Sequence, residues 1–350
     1  MKIIKSLLIT IAVIGTLSAA VLGQNATAEF NRGLEQHKNK DFAACAASFA
    51  RSIEYDSSQY TAHYNLGLCK LGLKQYAEAN SSFRRSLQMQ PDFVDAMIQL
   101  GNSLDLSGDY NGALTSYENA RKIEPNNEHI YYEMGVAHEG QGKYALAEAS
   151  YRKAVDLKPD YTVSLMALGS MLDKQKKDDD AYVFYSRAVK LEPANVKANR
   201  RVGDYYVRAE NYPAAIAAFN KALAADPQDG DSLLGMGNAY YNDNKYAESI
   251  PYYKRAAQTD ASWSLPNEYL GDAYFNIKQY SDAKKAYEND LRIDAKSSTS
   301  LYMLSRIAVI NSDKPTALSF YQRLLQIDAE RAEKLVPMIN GKFPGAIPEN

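Results

Sequence analysis

The chain has 350 residues but only one tryptophan, two cysteines and four histidines, and its formal net charge is just −2 at pH 7. Each shortage closes a class of function. A chain this close to neutral has no general attraction for a phosphate backbone or an anionic lipid surface, which argues against nucleic acid as a partner. The four histidines (His37, His63, His129, His138) have no ligand spacing with a cysteine or carboxylate, so no metal site is expected. No glycine-rich loop is placed to cradle a phosphate, and no serine or cysteine sits in a nucleophile motif. The expectation is a chain without a cofactor that is not an enzyme. Long uncharged runs are also missing after the first 23 residues, so no later segment can cross a bilayer.

Those first residues read differently. Lys2 and Lys5 precede an uncharged stretch from Ser6 to Leu22, and small residues (Ser18, Ala19, Ala20, Gly23) follow before Gln24 and Asn25. This is the build of a secretory signal peptide over 1–23, with cleavage after Ala20 or Gly23. An uncleaved membrane anchor is the alternative, since the stretch just reaches spanning length, and it would be the chain's only link to a membrane. Either way the remainder is expected to be exported, to the periplasm or cell envelope.

What is abundant is repetition. Glycines recur at 33, 67, 101, 135, 169, 203, 237 and 271, in steps of 34 without an insertion. Twelve residues later stands a small side chain (Cys45, Ala79, Ala113, Ala147, Ala181, Ala215, Ser249, Ala283), and four further on an aromatic (Phe49, Phe83, Tyr117, Tyr151, Tyr185, Phe219, Tyr253, Tyr287). Prolines 91, 125, 159, 193 and 227 close five successive repeats. Apolar residues three and four apart predict two short amphipathic helices per repeat. The glycine and the alanine let their backbones approach, the aromatics fill the wedge, and proline ends the second helix. One such pair cannot bury its apolar face alone, so neighbours must stack.

The pattern resembles the tetratricopeptide repeat, fully in 128–161 with Tyr131, Met134, Gly135, His138, Tyr144, Ala147, Tyr151, Ala154 and Pro159. The resemblance covers about 26–331, including a degenerate ninth repeat with Ser305 in the glycine place. It implies an all-α, right-handed superhelical solenoid of about nine helix-turn-helix repeats, whose first helices line a groove that binds a protein or peptide. Residues 332–350 are expected to form a capping helix and a loose tail.

On that register, positions three before, one after and four after each glycine face the groove. Phe30, Leu34, Tyr64, Leu68, Ile98 and Tyr132 then make an apolar, aromatic floor in the first four repeats, the kind of patch that marks an interaction surface. Repeat six turns basic with Lys197, Arg200, Arg201 and Arg208, and repeat seven adds Asn238 and Tyr241. The arginines either meet an acidic group on a partner or form an internal ladder with Asp204, to which Arg200 and Arg208 are spaced i, i+4, i+8. Cys45 and Cys69 are either a disulfide or two small core residues. The run Lys174 to Asp180 reads as a solvated turn, and Gly235 with Pro251 as a loosening of the repeat over 235–265. The function expected is an exported interaction scaffold, the alternative being a membrane-tethered or self-associating structural solenoid. A small-molecule or glycan receptor has less to support it, since no enclosed pocket can be inferred.

Overall fold

The computed structural model describes residues 23–347; most of the leader, 1–22, and the last three residues lie outside them. Among the described residues all regular structure is helical. The first helices of the nine repeats are α1 (23–38), α3 (Tyr60–Gly72), α5 (Val94–Leu106), α7 (Glu128–Gly140), α9 (Thr162–Lys174), α11 (Val196–Arg208), α13 (Gly230–Asn242), α15 (Leu265–Asn276) and α17 (Ser298–Ile310). The second helices are α2 (Phe42–Tyr55), α4 (Tyr76–Met89), α6 (Tyr110–Ile123), α8 (Tyr144–Leu157), α10 (Asp178–Leu191), α12 (Tyr212–Ala225), α14 (Tyr246–Thr259), α16 (Tyr280–Ile293) and α18 (Lys314–Leu325). Two short helices, α19 (Ala329–Glu333) and α20 (Val336–Lys342), close the array. The chain divides into two compact parts, one ending at Leu172 and the other starting at Asp173.

The periodic glycine has a direct steric cause. A Cβ at Gly67 would lie 2.6 Å from the Phe83 ring, at Gly203 2.7 Å from Phe219, and at Gly271 2.5 Å from Tyr287. At these positions the aromatic of the second helix packs directly on the bare backbone of its own first helix, and the rings are essentially fully buried. In the ninth repeat Ser305 stands in for glycine, and its hydroxyl donates to the Ala317 carbonyl at 2.9 Å across the pair.

A second 34-residue period is hidden from composition. Each turn between paired helices holds one residue at positive φ: Lys40, Lys74, Gly108, Gly142, Lys176, Glu210, Asn244, Lys278 and Ser312. That left-handed residue closes the helix C-terminus, as when Lys74 N–H donates to Leu71 O and Gln75 N–H to Lys70 O, both at 2.9 Å. Seven of the nine are not glycine, so the local fold imposes this conformation on residues that resist it.

Two expectations about irregularity need correction. Gly235 does not loosen its helix: it is buried, and a Cβ there would overlap the Phe219 ring, which thus packs between Gly203 and Gly235. Helix α14 runs unbroken through Pro251. The tail is not loose either, as far as Ile347. The Asn340 side chain donates to Ile347 O at 2.8 Å and accepts from Ile347 N–H at 2.9 Å, and Ile347 joins a core with Leu335 and Ile339.

Cys45 on α2 and Cys69 on α3 are joined by a disulfide, with Cα atoms 5.9 Å apart, and both are fully buried beside Phe49. The bond ties the second helix of repeat one to the first helix of repeat two.

Candidate functional site

The first-helix face of the N-terminal part begins apolar. Leu34 is 42% exposed, while Phe30 sits half-buried with its ring edge-on to Phe49, 5.2 Å between centroids. Tyr64 is wedged against Phe83 and Phe93, and Leu68 is half-buried beside it on α3. These side chains rest on the core and still present one edge to solvent. Ile98 does not. It is 4% exposed within the core cluster of Val94, Met97 and Leu104, so its placement in the groove was wrong.

From repeat three the floor changes chemistry, and the second-helix aromatic reports the change. Where it is Phe49 or Phe83, the residue after the glycine is Leu34 or Leu68. Where it is tyrosine, its hydroxyl finds a polar residue of the first helix. Tyr117 donates to Asn102 Oδ1 at 2.7 Å, and Tyr151 to Glu139 Oε2 at 3.0 Å. In the C-terminal part Tyr185 donates to Asp173 at 2.8 Å, Tyr253 to Asn238 at 2.9 Å and Tyr287 to Asp272 at 2.6 Å. A buried phenol needs such an acceptor. Repeat six departs from this pairing, since it has Phe219 although Asp204 follows its glycine.

The polar stretch of repeats three and four contains an acidic centre that spacing alone did not reveal. Glu133 on α7 has a side chain only 15% exposed. Burial, reinforced by the nearby charge of Asp105, pushes its carboxyl up to about 7. Asp105 on α5 is itself raised by burial, and its Oδ1 is enclosed without a hydrogen-bond partner. His129 Nε2 lies 3.4 Å from Glu133 Oε1 and His129 Nδ1 3.2 Å from the Tyr161 hydroxyl. Burial lowers the imidazole and raises the carboxyl, so both shifts favour the uncharged forms and weaken the contact as an ion pair. Tyr132 packs into the same group, 5.9 Å from the Tyr161 ring and 5.8 Å from Tyr151.

A pH dependence follows. The folded-state pKa of Glu133 is raised, so the native state holds this proton more tightly than the unfolded chain. Its contribution to stability is full below about 4.5 and is lost as pH rises through about 7. Glu133→Gln should therefore gain about 3 kcal/mol over the parent at pH 8 and almost nothing at pH 4. Urea melts followed by circular dichroism at the two pH values check this; equal shifts at both would overturn the assignment.

The basic residues of repeat six are on the first-helix face, but they are occupied. Arg200, 16% exposed, pairs with Asp229 and Asp231 of the next repeat. Arg208 reaches back to Asp173 at 3.4 Å and Asp178 at 3.0 Å, and Arg201 lies 3.7 Å from Asp204. The ladder along one helix is thus replaced by bonds between repeats. Asp204 is raised by burial, against the pull of the three arginines. Asp178 and Asp179 belong to the first turn of α10, where they favour the helix dipole, and Tyr205 donates to Asp179 at 2.9 Å. The run Lys174 to Asp180 is therefore a docking point for the next repeat as well as a turn. Lys197 is exposed at the start of α11. Asn238 is held by Tyr253, and half-buried Tyr241 accepts from Asn276 at 2.9 Å. Arg200, Arg201, Asp204, Asp231, Leu234 and Asn238 border one open hollow of about 250 Å³.

Among the described residues no His, Cys, Asp and Glu side chains cluster as metal ligands, and no helix is long and apolar enough to cross a membrane. Models of the tetratricopeptide repeat match residues 30–92 and 200–266, a TPR-repeat model matches 101–142, and a further tetratricopeptide-repeat model matches 128–161. No curated protein matches the sequence. Among solved structures, the C-terminal part of a TPR repeat-containing protein from Cytophaga hutchinsonii is similar, with 19% identity, TM-score 0.56, and coverage of 68% of this chain and 98% of that one. A tetratricopeptide-repeat protein from Parabacteroides merdae gives 19% identity, TM-score 0.52 and coverages of 70% and 98%. PilF of Pseudomonas aeruginosa gives 17%, 0.53, 61% and 97%. The glycine period, the paired helices, the ring-on-backbone packing and these matches agree: the chain belongs to the tetratricopeptide-repeat family.

Proposed function

We propose that this chain is an exported scaffold that holds a segment of a partner protein on the first-helix face of its N-terminal repeats. The observation that carries the reading is the strip of Phe30, Leu34, Tyr64 and Leu68. Phe30 is fixed from below by Phe49, and Tyr64 and Leu68 by the core around Phe83, while the strip keeps apolar area in solvent. Pre-ordered aromatic surface contributes to binding at little entropic cost, and contacts of this type dominate interface energies. The family's repeats are protein-interaction modules, which makes binding the coarse function and leaves catalysis without a candidate group. Export rests on the leader, Lys2 to Gly23, by its sequence alone.

The test is affinity capture from the native host with the parent chain and with Tyr64→Ala plus Leu68→Ala. The double variant should keep its helical signal and lose its main partner by at least tenfold. Undiminished capture would move the binding surface elsewhere. Fractionation with N-terminal sequencing of the mature chain tests export: a soluble periplasmic chain starting near residue 21 or 24 supports it, and a cytoplasmic chain retaining Met1 refutes it.

A further inference from the structure

In the basic run of the sequence Arg200, Arg201 and Arg208 all have carboxylate partners, which leaves exposed Lys197 as the charge that run offers. Two arginines at the other end of the C-terminal part have no carboxylate partner. Arg306 follows Ser305, so it holds the same first-helix register as Leu34 and Leu68 in earlier repeats. Its guanidinium carbon stands 4.8 Å from the Phe275 ring centre and 5.6 Å from that of Tyr302. Its Nε is enclosed without a hydrogen-bond partner, and Nη1 meets only the Met303 sulfur at 3.5 Å. Arg331 arrives from the capping helix α19. Its Nη1 donates to the hydroxyls of Ser298 and Thr299, both at 2.9 Å, and its guanidinium carbon lies 5.6 Å from the same Tyr302 ring. Neither guanidinium forms an ion pair among the described residues.

Stacking on rings and bonding to neutral hydroxyls hold an arginine in place without cancelling its charge. The carboxylates of α15 direct their hydrogen bonds to neutral donors. Asp272 accepts from Tyr287 and Glu268 from Ser297, and neither is ion-paired with Arg306 or Arg331, although Asp272 lies close enough to feel the charge of both. We propose that Arg306 and Arg331, sharing the Tyr302 ring, form a recognition site for a carboxylate side chain on a partner protein. This rests on the reading of the chain as a protein-binding scaffold. Two cations with two carboxylates nearby suit a single negative charge better than a phosphate dianion. The cap helix supplies half of the site, so the last repeat and its closing segment act together.

The probe is fluorescein-labelled hexaglutamate, titrated by anisotropy into the full chain at low salt, with hexalysine and inorganic phosphate as comparisons. Hexaglutamate should bind, and Arg306→Gln with Arg331→Gln should weaken it at least tenfold, while Lys285→Gln on α16 should not. In the unsubstituted chain, phenylglyoxal should modify Arg306 and Arg331, and hexaglutamate should protect both, read by peptide mass mapping; this needs no variant to fold. Failure of hexaglutamate to bind, unchanged binding by a helical double variant, absence of protection, or equal competition by phosphate would each overturn the proposal. The Tyr64→Ala, Leu68→Ala chain should still bind hexaglutamate, so the N-terminal strip and this site can fail separately.

Discussion

Replacing Gly101 by alanine will destabilise the N-terminal part by about 2 kcal/mol, although alanine is the better helix former by about 1 kcal/mol. The two effects oppose each other, and the packing decides. A Cβ at Gly101 would overlap the Tyr117 ring, and Tyr117 is 1% exposed, so the ring has no space into which to retreat. Moving it would also stretch the bond from its hydroxyl to Asn102. Overpacking of this kind costs about 1–3 kcal/mol, and the lost hydrogen bond adds about 1 kcal/mol. A double-mutant cycle isolates the cause. In a Tyr117→Ala background the ring is gone, and Gly101→Ala should then stabilise by roughly its helix-propensity gain. A change of sign between the two backgrounds, measured by chemical denaturation, supports ring-on-backbone packing. The same loss in both would mean that Gly101 serves another purpose.

That packing was legible in sequence because it depends on residues 16 apart within one repeat, at a spacing repeated eight times. Glycine and aromatic identify each other there, and a single unit would have been unreadable. The left-handed turn residues show the opposite case. They recur every 34 residues as strictly as the glycines do, but lysine fills the place at 40, 74, 176 and 278, and glutamate at 210. A conformation imposed by packing on either side leaves no chemical mark.

The site was legible in part. Tyr64, Leu68 and Tyr132 follow from the register, since half-burial on a first helix is set by the helical period. The arginines do not follow from it. Arg200 and Arg208 appear spaced for a ladder on one helix, but their actual partners are 29 to 35 residues away in neighbouring repeats. A contact across the stack appears in sequence only as an offset near one repeat length, with several acids within reach of each arginine. Arg306 was hidden for another reason: Ser305 marks its register, but spacing does not show the Phe275 and Tyr302 rings beside it, and Arg331 reaches the same ring from a different element.

The disulfide gives the second large expectation. Reducing Cys45–Cys69 will loosen the first repeat while leaving the middle ones intact. The bond closes a separation of 24 residues, for which loop-closure entropy predicts about 3 kcal/mol of stabilisation. In a stacked array that energy is local. Among the described residues repeat one stacks on repeat two through the α2–α3 contact, and the bond fastens that contact. Hydrogen exchange should therefore speed up about 100-fold across 23–55 after reduction and alkylation, with little change across 94–157. Because both cysteines are fully buried, alkylation needs mild denaturant or the Cys45→Ala, Cys69→Ala variant. Alanine already stands at the equivalent of Cys45 in most repeats, so the substitution chiefly removes the cross-link. Unchanged exchange would show that packing alone holds the first repeat, and two free thiols in the native chain would remove the premise. The functional consequence is specific. Phe30 and Leu34 stand on α1, Tyr64 and Leu68 on α3, and a frayed first repeat splits that strip in two. Partner capture should then fall on reduction, while hexaglutamate binding at Arg306 and Arg331 stays constant.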